Sequence, residues 1–168
     1  MKKDFSNIKL FAMDVDGTLT DGKIYIGNDG EVMKAFNAKD GLGIKLLIKK
    51  GIIPIIITGR RSKIVTRRCE EIGITVLYQG VRDKADILKN VMAKYECTPE
   101  QTVYIGDDMN DLSAMQTAGI TFAPADCAAA LLPYVDFVLT QKSGDAPVRE
   151  AIDIILENRL TLSDYESI

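Results

Sequence analysis

Short apolar runs alternate with longer amphipathic stretches from one end of the chain to the other. Ile8–Val15, Ile52–Thr58, Thr75–Gln79, Thr102–Asp107, Ile120–Pro124 and Asp136–Thr140 are nearly continuous apolar segments, the pattern of strands buried on both faces. Between them, Asp40–Lys50, Ser62–Ile72, Asp83–Tyr95 and Asn110–Ala118 carry apolar residues at helical spacing, and Pro147–Asn158 does so after the last strand. Gly51, Gly73 and Gly119 stand where helix C-terminal caps belong, Asp83 fits an N-cap, and Pro147 fits a first helical position. This alternation predicts an α/β fold: a doubly wound, Rossmann-like parallel sheet with helices on both faces.

One segment breaks the rhythm. Lys23-Ile-Tyr-Ile and Glu31-Val-Met-Lys-Ala-Phe flank Gly27-Asn-Asp-Gly30, which predicts an inserted β-hairpin over 23–36. No repeat or linker divides the chain, so a single domain over 1–168 is expected. The tail 159–168 has no partner element in this scheme and is expected to be mobile or docked elsewhere.

Composition narrows the chemistry. A formal charge of −3 and a pI near 5.1 argue against nucleic-acid or membrane-surface partners. No stretch reads as a signal peptide or membrane span. Cys69, Cys97 and Cys127 form neither a disulfide framework nor a zinc site, which points to a cytoplasmic protein. The chain has no histidine, which excludes Ser-His-Asp and Cys-His catalysis and His-ligated zinc. Acid–base work falls to carboxylates, Lys, Tyr or Cys, and oxygen-ligand Mg²⁺ chemistry stays open.

In an open parallel sheet, ligands bind at the carboxyl ends of the strands. There the first strand delivers Asp14 and Asp16, the second Thr58-Gly59-Arg60, and the fourth Gly106-Asp107-Asp108-Met-Asn-Asp111. The third is followed by Gly80-Val-Arg-Asp-Lys84. Several carboxylates at one edge suit a Mg²⁺ ion bound together with a substrate phosphate. Asp14 can attack phosphorus as a nucleophile, and Asp16 can serve as general acid and then base. Thr58 can bind a phosphoryl oxygen and Lys84 can balance charge. Asp107 reads as a metal ligand, with Asp108 and Asp111 in support.

Asp14-Val-Asp-Gly-Thr, Thr58, Lys84 and Gly106-Asp-Asp-Met-Asn-Asp111 resemble the four signature motifs of the haloacid dehalogenase superfamily phosphatases, in order and over nearly the whole chain. The resemblance implies that the backbone carbonyl of Asp16 joins Asp14 and Asp107 around Mg²⁺. Neither gap between motifs has room for a cap domain. The chain is most similar to the capless subfamily of 3-deoxy-D-manno-octulosonate 8-phosphate phosphatases, through Asp21-Gly22, Phe36-Asn-Ala-Lys-Asp-Gly41, Val65-Thr-Arg-Arg68, Leu77-Tyr-Gln-Gly80 and Val148-Arg-Glu150. That likeness implies a sugar-acid phosphate substrate and a homotetramer in which a neighbour's hairpin and tail close the site. One stretch departs from it: Lys142-Ser-Gly-Asp-Ala-Pro-Val replaces a Gly-Gly-x-Gly-Ala run.

Other readings stand beside these. An EF-hand needs Gly where Leu19 stands. Asp107-Asp108 can be an ordinary acidic helix start, and Lys84 a solvated lysine. The run Arg60–Arg68 can be a solvated helix face, or Arg60 and Arg68 can grip a substrate carboxylate. A nine-carbon sialic-type 9-phosphate is the alternative substrate; enzymes of that kind tend to carry Glu at the place of Arg60. A phospho-acceptor signalling module lacks a counterpart of Asp16, and a non-catalytic scaffold has no need of the intact motif set.

Overall fold

The computed structural model describes residues 3–157 and 159–166. Six parallel strands form one sheet: β1 (Leu10–Met13), β4 (Ile53–Thr58), β5 (Val76–Gln79), β6 (Thr102–Ile105), β7 (Ile120–Ala123) and β8 (Phe137–Val138). Their spatial order is β5-β4-β1-β6-β7-β8. Residues Leu10 to Met13 of β1 pair in register with Ile53 to Ile56 on one side and with Thr102 to Ile105 on the other. The chain thus winds outward from β1 in both directions, and the crevice at this switch point lies above the carboxyl ends of β1, β4 and β6.

Alternation along each strand sorts the core into two layers. Phe11, Met13, Ile56, Val103 and Ile105 face one side, where they meet α1 (Ala38–Lys49), α2 (Lys63–Ile72) and α5 (Pro147–Ile155). Leu10, Ala12, Ile55, Ile57 and Tyr104 face the other, against α3 (Lys84–Lys94) and α4 (Leu112–Met115). The first three helices start on side-chain caps. Asn37 Oδ1 accepts from the Lys39 N–H (3.0 Å), Ser62 Oγ from that of Val65 (3.2 Å), and Asp83 Oδ1 from that of Asp86 (3.0 Å). The caps of α2 and α3 follow the ends of β4 and β5, so those helix N-termini line the edge where the acids collect.

The hairpin is present as β2 (Tyr25–Gly27) and β3 (Gly30–Met33), an antiparallel pair separate from the main sheet. Two expectations need correction. The helix expected over 110–118 is only four residues of α4 after a 3₁₀ turn at Met109–Asp111. Gly119 is not its cap: its N–H donates to the carbonyls of Pro99 (2.8 Å) and Thr102 (3.2 Å), which cuts the segment short. Asn158, the last residue of the expected final helix, lies outside the described residues, as do Ser167 and Ile168 of the tail.

The described part of the tail folds onto its own chain. A 3₁₀ turn at Leu162–Asp164 is closed by Thr161 and Asp164 capping each other. Asp164 pairs with Lys50 at 2.8 Å, and Lys49 Nζ donates to the carbonyls of Ser163 and Asp164 at 3.0 Å. Lys49 and Lys50 close α1 ahead of β4, so this dock lies at the amino ends of the strands, opposite the crevice.

Two further ties brace the crevice side. Asp40 Oδ1 accepts from the Arg149 N–H (2.7 Å), joining α1 to α5, while Oδ2 is buried without a hydrogen-bond partner. Burial pushes the Asp40 carboxyl up to about 7. Gly144, in the stretch that departs from the family run, donates to the Thr18 carbonyl and accepts from Asn37 Nδ2, both at 3.2 Å. A side chain there would strike the Thr20–Asp21 backbone, so this loop packs directly on the turn after β1.

Candidate active site

The turn after β1 is tight. The N–H groups of Thr18 and Thr20 both donate to the Val15 carbonyl, at 3.2 and 3.0 Å. Gly17 sits at φ +91°, and a Cβ there would lie 2.1 Å from Asp107 Oδ2. Only glycine combines that conformation with so close an approach, so the first and fourth strand ends meet through it.

Beneath the turn lies a dry charged cluster. Asp14 is 4% exposed, Lys84 2% and Asp111 0%. Lys84 Nζ lies 2.6 Å from Asp111 Oδ1 and 3.0 Å from Asp14 Oδ1. The contact to Asp14 is an ion pair without hydrogen-bond geometry, and Asp14 Oδ1 has no hydrogen-bond donor. Both Asp111 oxygens are engaged: Oδ1 accepts from Lys84 and from the Tyr104 hydroxyl (2.7 Å), and Oδ2 accepts from the Asp107 N–H (3.1 Å). A Cβ at Gly106 would lie 2.4 Å from the Asp111 Cγ, which is why the residue before Asp107 is glycine.

Electrostatics follow from the crowding. Burial, then Asp111, push Asp14 up to about 6 against the pull of Lys84. Burial, then Asp111 and Asp14, push Asp107 up to about 7. Burial alone would lower Lys84, but the two carboxylates beside it raise it, so it stays an ammonium. Tyr104 is driven well above its ordinary value by burial and by Asp111, and remains a neutral donor. Oxygens of Asp14, Asp107 and Asp111 lie within 4.8 Å of one another. Three clustered carboxylates, of which burial and crowding raise Asp14 and Asp107, fit a hard divalent cation. Asp14 and Asp107 are the available ligands, and Asp111 positions Lys84 and the Asp107 backbone.

The second acid of the motif stands apart. Asp16 is half-buried and pairs with Lys34, while Arg60 Nε lies 3.9 Å from its other oxygen. Thr58 is buried at the end of β4, and Gly59 and Arg60 are exposed beyond it. Asp108 is exposed and caps the 3₁₀ turn through the Met109 N–H. Arg68 is not brought to this group. Its guanidinium donates to the Asn37 carbonyl (3.4 Å), pairs with Glu71 (3.0 Å) and lies over the Phe36 ring. Three contributors escaped the sequence reading: Tyr104, Lys34 and Glu31. Tyr104 had a signal, a hydroxyl in an otherwise apolar buried strand that must find a partner. The two hairpin residues had none.

Comparison with known proteins agrees with this geometry. A family model for haloacid dehalogenase-like hydrolases matches residues 73–152. The 3-deoxy-D-manno-octulosonate 8-phosphate phosphatase of Yersinia pestis is 47% identical over 151 residues, covering 90% of this chain and 81% of the relative. The cobalt-bound deoxy-D-mannose-octulosonate 8-phosphate phosphatase of Haemophilus influenzae superposes with a TM-score of 0.91 at 37% identity, over 96% of this chain and 98% of that one. The Moraxella catarrhalis phosphatase, solved with magnesium, phosphate and KDO, gives 0.88 at 40% identity, over 91% and 88%. The chain belongs to the haloacid dehalogenase-like hydrolases, and among them to the family of the 3-deoxy-D-manno-octulosonate 8-phosphate phosphatases.

Proposed function

We propose that this protein is a Mg²⁺-dependent phosphatase that hydrolyses 3-deoxy-D-manno-octulosonate 8-phosphate through a phosphoaspartate at Asp14. The observation that carries the reading is Asp14 itself: buried, charge-compensated by Lys84, and with an oxygen within 4.8 Å of carboxylate oxygens of Asp107 and Asp111. An Asp14 oxygen attacks phosphorus, the ester P–O bond breaks, and Asp16 gives its proton to the departing sugar oxygen. Water then attacks the same phosphorus and passes its proton to Asp16. The Asp14–phosphorus bond breaks, releasing phosphate and restoring the carboxylate. Thr58 donates to a phosphoryl oxygen, and Lys84 offsets charge on Asp14 and the phosphoryl group. Asp14, Asp107 and the Asp16 carbonyl would hold Mg²⁺, which when bound would supply positive charge for the phosphoryl group. Arg60, exposed beside Asp16, recognises the substrate carboxylate from the wall above Gly59.

The whole chain acts as one hydrolase domain, a reading supported by core layers on both faces of a single sheet. No described helix is long and apolar enough to cross a membrane, which is consistent with a cytoplasmic enzyme. A homotetramer is the proposed assembly. Its support is the hairpin, where Ile26 is 71% exposed and Val32 and Met33 are also uncovered. The deciding experiment is phosphate release from the eight-carbon and nine-carbon keto-deoxy acid phosphates, with Mg²⁺ and with EDTA. Activity on the eight-carbon ester that EDTA abolishes supports the proposal. Preference for the nine-carbon ester, or full turnover without metal, overturns it. Solution mass tests the tetramer separately.

A further inference from the structure

The hairpin reaches the reaction through one buried lysine. The Lys34 side chain is 1% exposed, although the ribbon that carries it is mostly open to solvent. Its ammonium pairs with Asp16 Oδ1 and with Glu31 Oε1 (3.1 Å), and Glu31 Oε2 accepts from the Ser62 hydroxyl. Ser62 is the cap of α2, and its own N–H donates to Gln79 Oε1 at 2.7 Å. An unbroken chain of polar contacts therefore runs from Asp16 through Lys34 and Glu31 to the start of α2 and the end of β5. A buried ammonium has only donors and is costly unpaired, so these contacts stand or fall together. With Lys34 on one oxygen and Arg60 beside the other, the Asp16 carboxylate is held apart from the group formed by Asp14, Asp107 and Asp111.

We propose that Lys34 is a positioning residue for Asp16, so that the inserted hairpin, not the sheet, orients the carboxylate that protonates the leaving oxygen. The inference rests on the phosphatase reading above and on Asp16 as its acid. Its consequence is selective. An alkyl ester needs a proton on its leaving oxygen, whereas a nitrophenolate leaves without one. Misorienting Asp16 therefore damages kcat/KM, which ends with departure of the leaving group, far more for the first ester than for the second, while a general loosening of the site damages both alike.

The test compares wild type, Lys34→Met, Lys34→Arg and Asp16→Asn on a sugar phosphate and on 4-nitrophenyl phosphate, each with saturating Mg²⁺. For Lys34→Met, kcat/KM is expected to fall about 100-fold or more on the sugar phosphate and less than about tenfold on the nitrophenyl ester. Lys34→Arg should recover most of the loss, and Lys34→Met added to Asp16→Asn should cost nothing further on the sugar phosphate. Equal losses on both esters, or no loss on the sugar phosphate, overturn the inference. If Lys34→Met is insoluble, Lys34→Gln carries the same comparison. Should Asp16→Asn itself show no leaving-group selectivity, the acid assignment fails first, and that outcome is read separately.

Discussion

Asp14 and Asp16 are two residues apart, yet they belong to two kinds of structure. Asp14 ends a central strand and is surrounded by sheet and helix: Lys84 from α3, with Asp111 and Tyr104 behind it. Asp16 is held from outside, by a lysine on an inserted ribbon and an arginine on an exposed loop. Asp14, the proposed nucleophile, is thus held by the core, and Asp16, the proposed acid, by an insertion. A nucleophile needs one fixed line of attack, and a proton donor must tolerate substrates coming and going. The fold assigns each carboxylate the kind of support its task requires.

The largest expected effect lies on the core side. Asp14→Asn should abolish turnover on every ester, because an amide cannot accept a phosphoryl group, whereas Asp16→Asn should spare kcat/KM on esters with good leaving groups and lower kcat on both through lost water activation. Steady-state rates on the two ester classes check this, and residual activity of Asp14→Asn on all of them would dissolve the distinction. Next comes stability. Lys84→Met leaves two buried carboxylates without their cation and should destabilise the fold by about 3–5 kcal/mol, read as a shift in denaturant midpoint.

A third prediction concerns pH. In the unfolded chain, carboxylates ionise near their ordinary values; folded, burial holds protons on Asp14 to about 6 and on Asp107 and Asp40 to about 7. Between those limits the folded chain binds more protons than the unfolded one, so stability falls as pH rises. Metal-free protein should therefore melt at least roughly 3 °C lower at pH 8 than at pH 5, the size of a 1 kcal/mol change in a chain of this length. Saturating Mg²⁺ should remove the share due to Asp14 and Asp107 and leave that of Asp40. A flat profile without metal would count against the buried-carboxylate account. The smallest effect is at the outer side. Arg60→Ala should change stability by no more than about 0.5 kcal/mol, yet raise KM for a sugar-acid phosphate about tenfold or more through one lost charged contact.

The same contrast explains what the sequence could reveal. Asp14, Thr58, Lys84, Asp107 and Asp111 were legible because apolar runs mark where strands end, and a parallel sheet sends those ends to one edge. Lys34 and Glu31 were not, because a two-stranded ribbon has no periodic rule that says which face turns inward, and a lysine there reads as solvated. Arg68 reads in sequence either as part of a solvated helix face or as a grip on a substrate carboxylate, and its helix turns it toward Phe36 and Asn37. The helix expected up to Ala118 failed because the Gly119 contacts with Pro99 and Thr102 are tertiary and leave no trace in local spacing.

The dock of the tail has a practical corollary. Arg159 Nη1 donates to the Phe5 carbonyl at 3.4 Å, so the last described segment lies beside the first, below the sheet. In topological terms the described residues run from Phe5 round to Arg159 and meet again there. A short peptide joining the segments that hold Phe5 and Arg159, with new ends opened in the exposed turn around Glu96, would leave every strand beside its present neighbours and the crevice edge untouched. The molecule is thus a natural candidate for circular permutation, and for fusion to other proteins at its base.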